Sequence, residues 1–236
     1  VSLPALQPEL EPQLVEATLL EAIRGHARER EFHAERDAVY DILDGERREA
    51  AFAALHACWF ARLALDAPLH EALAEQPAVA RGCVRWLIAA ARASRDEAAD
   101  LLVGPDGDRT LFVRVRPATA AAPDRLLRLL RRELLHVADM LDPAFGYEAA
   151  LPPDVAGSAL ARAVRDRYRI LWSSYVDGRL WRQGLLPATA REERRAEFGR
   201  ACPRPGGHAV VAFERFFGGR DLTHAMLLAF ARGEER

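Results

Sequence analysis

Arg132-Glu133-Leu134-Leu135-His136 is the stretch of this chain whose residue types and spacing come nearest to metal chemistry. Residues four apart on an α-helix share a face, so two imidazoles at that spacing can grip one zinc ion. A glutamate between them then takes a proton from the metal-bound water. Here Glu133 holds the place of the base and His136 that of the second imidazole. Arg132 stands where the first would be, and a guanidinium stays protonated and cannot donate to a metal. Three residues beyond His136, Asp139 shares its face. Two roles are open to it: replacing the missing ligand, or orienting His136 through a hydrogen bond. The same residues also fit an ordinary leucine-rich helix, with Arg132 pairing with Asp139 or another carboxylate. Tyr147, in "LDPAFGYE", reads either as a cleft-lining donor to an oxyanion or as a packed aromatic anchor.

The elements that must position these residues read mostly as helices. Leu14, Ala17, Leu20 and Ile23 share one face in "PQLVEATLLEAIRGHARER", and "ERDAVYDIL" continues in the same style until Gly45. Phe52, Leu55, Trp59 and Leu63 align in the next helix, Asp66 and Pro68 look like the start of another, and "PAVARGCVRWLIAAARA" gives a further apolar helix. "DLLVGPDGDRTLFVRVRP" differs: a Gly-Pro-Asp-Gly-Asp turn separates two apolar runs, and the second alternates with period two. A hairpin from about Ala99 to Arg116 is expected. Asp124 then caps the motif-bearing helix, which Asp142 and Pro143 end near Leu141. A long helix follows through "SALARAVRDRYRILWSSYVDGRLWRQG". Within it, Gly178 costs about 1 kcal/mol relative to alanine, which suggests close packing against a neighbour such as the Glu133 helix. Shorter helices finish the chain. The expected fold is mainly α with a small β-hairpin (α+β), a single domain over 1–236. Its parts are an N-terminal helical part (1–95), the hairpin with the motif-bearing helices (96–184) and C-terminal helices (185–236).

"LLRRELLHVADMLDPAFGYE" resembles the active helix of zincin metallopeptidases, particularly gluzincin-like forms with a helical scaffold, over about residues 99–184. The resemblance implies a zincin-like helical domain in which an alternating strand just before the helix pairs with an extended peptide. It implies zinc as cofactor, Glu133 as general base, His136 and Asp177 as metal ligands, and Asp139 as a ligand or as support for one. Asp177 enters as the acidic residue on a downstream helix that such enzymes use. The implied activity is hydrolysis of a peptide bond by metal-activated water, at a site that Arg132 makes degenerate. The competing expectation is a non-catalytic helical binding or scaffold protein. There, Arg132 beside His136 forms a cationic floor for a carboxylate or a peptide end.

Composition narrows the classes. Half of the 236 residues are hydrophobic and 29% are charged, as in globular rather than disordered chains. All 33 cationic side chains are arginine, and the net charge of −2 lacks the basic excess of a nucleic-acid binder. The three cysteines, Cys58, Cys83 and Cys202, have no metal-ligand spacing and read as reduced thiols. A single Glu-x-x-His cannot build a di-iron bundle, which needs two. No signal-peptide pattern and no long apolar run occur, so a cytoplasmic bacterial protein with a peptide or protein ligand, no nucleic acid and no membrane is expected. The sequence leaves the oligomeric state open.

Overall fold

The computed structural model describes residues 6–203 and 208–234; the opening residues 1–5 of the acidic N-terminal stretch lie outside them. The fold is mainly α with a small mixed sheet, and the chain divides into two compact units, Val1–Leu134 and Leu135–Arg236.

In the first unit, β1 (Pro8–Leu10) leads into α1 (Pro12–Ile23), α2 (Glu29–Tyr40), α3 (Gly45–Arg62), α4 (Ala67–Ala74) and α5 (Pro77–Gly82). The pattern expected to run on past Ile23 breaks at Gly25, whose φ of 72° is open to glycine at little cost. Gly45 begins α3 rather than breaking a helix, because the Asp44 carboxylate caps it by accepting from the Arg47 N–H at 2.8 Å. Leu19, Ile23, Phe32, Trp59, Phe60 and Leu65 form one apolar cluster. Trp59 is fully buried, yet its indole N–H reaches the Glu35 carboxylate at 2.8 Å. Arg28 and Arg62 lie over the indole ring at 4.7 and 5.0 Å.

The helix expected through residues 77–93 is overturned: α5 ends at Gly82 and β2 (Arg85–Ala90) follows. Its run Trp-Leu-Ile-Ala-Ala is apolar without a break. Length and a β-rich start separate such a run from a buried helix, whereas period does not. β2 lies between β1 and β4 (Arg109–Val115), parallel to both, with Trp86 and Ile88 buried. β3 (Ala98–Val103) closes the sheet antiparallel to β4, giving the order β1-β2-β4-β3. The hairpin is therefore present, with Ala99 opposite Val113. The alternating strand, however, is the inner member of the hairpin, and β3 forms the edge. α6 (Pro117–Ala120) connects the sheet to α7 (Pro123–Leu141).

α7 carries the boundary between the units, which falls after Leu134. The second unit continues with α8 (Pro153–Ala156), α9 (Ala161–Arg182), α10 (Thr189–Ala201), α11 (His208–Gly218) and α12 (His224–Arg232). α9 is its axis, with α10, α11 and α12 packed around it and Leu171, Val176, Phe198, Phe213, Phe216 and Leu227 buried among them. Gly178 is where α11 comes closest. A Cβ there would lie 1.8 Å from the Phe217 carbonyl oxygen, so only glycine fits. The neighbour that demands this glycine is thus α11, not the Glu133 helix. Among the described residues, no single helix is long and apolar enough to cross a membrane.

Candidate functional site

α7 begins with Pro123 and an acidic first turn at Asp124, both favourable at a helix N-terminus. Leu126, Leu130, Leu134 and Val137 recur at three-to-four spacing and are buried, which fixes the direction of every other side chain on the helix. Arg132 and Glu133 fall in the part of α7 that belongs to the first unit. His136 and Asp139 fall in the part that belongs to the second.

In the first unit the Glu133 carboxylate is fixed against the sheet edge. Its Oε2 accepts from the main-chain N–H of Ala99 on β3 at 3.2 Å. β3 has β4 on one side only, so this bond marks the Ala99 N–H as directed outward. Strand groups alternate with period two, which turns the main-chain groups of Leu101 and Val103 to the same outer edge. Nearby side chains are unusually apolar for such a position, with Leu102 48% and Val103 64% exposed. Arg131 holds its own end of the motif in place by forking onto Glu75 at 2.6–3.1 Å and reaching Glu71 at 2.9 Å.

In the second unit Asp139 is buried and clamped. The Trp172 indole N–H donates to Oδ2 at 2.7 Å, and Arg179 forks onto both oxygens at 2.8 and 2.6 Å. The His136 ring stands edge-on to Trp172, centroids 4.6 Å apart. Asp177 is also buried and held: Arg194 of α10 places Nε at 2.7 Å and a terminal nitrogen at 2.6 Å from one oxygen. Trp172 and Arg179 are seven residues apart, two turns of one face of α9. Asp177 precedes Arg179 by two residues and is rotated about 200° from it. His136 and Asp177 are thus held by different neighbours, Trp172 and Arg194. His136 meets the Trp172 side of α9, and Asp177 turns towards α10.

Tyr147 packs, with ring centroids 5.3 Å from Trp172 and 5.6 Å from His224. Phe145 stacks on the other part of this cluster, 5.3 Å from Trp172. The Tyr168 hydroxyl bonds to His224 Nδ1 at 2.7 Å. Burial drives the Tyr168 phenol far above its ordinary range, so it stays protonated. Burial also lowers the proton affinity of His224, with Glu148 opposing.

The acids of this donor set are already engaged. Asp139 and Asp177 already neutralise arginines on different sides of α9, and Arg132 cannot be a ligand. Among the described residues, no group of three or more His, Cys, Asp or Glu side chains converges as a metal site would require. The roles of Trp172, Arg179 and Arg194 had no signal in the spacing of the motif, because each partner comes from a different helix. No family model matches the chain, and neither a curated protein nor a solved structure shows significant similarity to it.

Proposed function

We propose that the protein binds an extended peptide along the outer edge of β3 and does not hydrolyse it. The observation that carries this reading is the edge itself: Ala99 is anchored by Glu133, while Leu101 and Val103 offer main-chain groups beside exposed apolar side chains. Edge strands are ordinarily blunted by charge, proline or a covering element, since they pair readily with another chain. A docked peptide gains main-chain hydrogen bonds from such an edge and side-chain selection from alternate positions. The mainly helical second unit then acts as scaffold, with its acids committed to structural ion pairs.

Binding is tested with a library of fluorescein-labelled octapeptides that alternate apolar and polar residues. Retention of intact peptide, unchanged by a chelator, is expected. Leu101→Pro removes the outward N–H without touching the β4 ladder and should weaken binding at least tenfold while the protein still folds. Absence of any retained peptide, or equal retention by Leu101→Pro, refutes the reading.

One observation favours the peptidase reading as the alternative: Glu133, in the place of a general base, touches the strand that would hold a substrate backbone. That reading requires the donors around His136, Asp139 and Asp177 to rearrange. Zinc-dependent cleavage of the octapeptides, by the natural chain or by Arg132→His, would establish it.

A further inference from the structure

A second feature of the first unit lies apart from the sheet edge and rests on separate observations. α1, α2 and α3 line a cleft of about 530 Å³, within the range of roughly 300–1,000 Å³ that small-ligand sites occupy. Its lining is mixed, with Leu10, Val15 and Leu20 supplying an apolar part beside polar side chains. The opposite wall is aromatic. Tyr40 meets Phe52 edge-on at 5.0 Å, and Phe52 stacks on His56 at 6.0 Å with 30° between the rings.

Arg36 is the cation of this cleft. Its guanidinium lies 5.8 Å from the Tyr40 ring centroid, and its Nε is enclosed with no hydrogen-bond acceptor among the described residues. Elsewhere in the unit, Arg28, Arg62, Arg85 and Arg131 each fork onto or contact a carboxylate. A planar guanidinium matches a carboxylate in geometry as well as charge. Burial lowers the proton affinity of His56, with Arg36 adding to the effect and Glu16 opposing it, so the imidazole contributes a polar edge rather than a second positive charge. Glu16 and Glu49 also line the cleft and are exposed. Their charge disfavours a multiply charged anion such as a phosphate ester.

We infer that this cleft binds a small monocarboxylate with an aromatic or branched apolar body, its carboxylate on Arg36 and its body against Leu20, Phe52 and the neighbouring apolar wall.

The full-length chain is titrated with 3-phenylpropanoate by calorimetry and by the ring-proton resonances of His56. Saturable binding that shifts His56 is expected. Arg36→Gln should weaken it tenfold or more, and 3-phenylpropan-1-ol, of the same shape without the charge, should bind at least tenfold more weakly. Ala53→Phe, at an exposed position on the α3 wall, should fill the cleft and abolish binding without loss of helical circular dichroism. The inference is overturned if 3-phenylpropanoate shows no saturable binding. Equal binding by Arg36→Gln overturns it too, as does tighter binding of 3-phenylpropylammonium, which would make the glutamates the recognition groups.

Discussion

The two units use the same chemical pair, a carboxylate and an arginine, to different effect. In the first unit the pairs lie mostly at the surface: Arg85 forks onto Glu9 and Arg62 reaches Glu35, with side chains a third or more exposed. Water screens such pairs and competes for both partners, so they contribute little. In the second unit Asp139 with Arg179, and Asp177 with Arg194, lie in the interior, with the two carboxylates 7% and 9% exposed. Attraction there offsets a large desolvation cost, and the arrangement is tolerable only while both partners are present. A sequence reading sees equivalent Asp and Arg residues in both places. Burial decides which of them the fold depends on.

The sharpest way to break this contrast is Asp139→Ala, which leaves Arg179 and the Trp172 indole N–H without their acceptor. A loss of about 3–5 kcal/mol is expected from denaturant unfolding monitored by circular dichroism. Adding Arg179→Met should recover part of it, since it removes the stranded charge while the Trp172 indole N–H stays without its acceptor. Next is Gly178→Ala, where the added methyl meets the Phe217 carbonyl. Overpacking of this kind costs about 1–3 kcal/mol or more, and the backbone target puts it at the upper end.

A smaller effect follows from His224. Its proton affinity is lower in the folded chain than the ordinary histidine value of 6.5, so the unfolded chain binds the extra proton first. The stabilising contribution is present above about pH 6.5 and is lost as the pH falls towards the depressed folded value. Urea midpoints should drop between pH 7.5 and 5.5, and His224→Gln should flatten that slope. A slope that persists unchanged in the variant assigns it to other groups. Least of all, Glu9→Gln should leave the urea midpoint unmoved within error, although it removes a fork of 2.8 and 2.6 Å. A clear loss there would erase the distinction between surface and interior pairs.

Long amphipathic helices were legible in the sequence, as α3, α7 and α9 illustrate, because one-sided burial imposes a period on the residues. The hairpin was legible from its turn residues. β2 was not, since its run Trp-Leu-Ile-Ala-Ala puts apolar residues on both faces and so shows no alternation. Which hairpin strand forms the edge was equally hidden: that depends on β2 pairing with β4, a long-range contact that neither segment announces. At the candidate site, Glu133 was legible as a placed acid, but its partner is a main-chain N–H, which leaves no trace in residue types. The arginine partners of Asp139 and Asp177 were hidden because spacing along one helix does not reveal which neighbour each face will meet.

α9 gives its base, Arg179, to one flank and its acid, Asp177, to the other. Sliding the helix by a turn, or twisting it about its axis, would unlock both pairs at once, as a key turned in two wards. The second unit should consequently open in one concerted step, with the amides of α9 exchanging their hydrogens as a single slow class rather than fraying from either end.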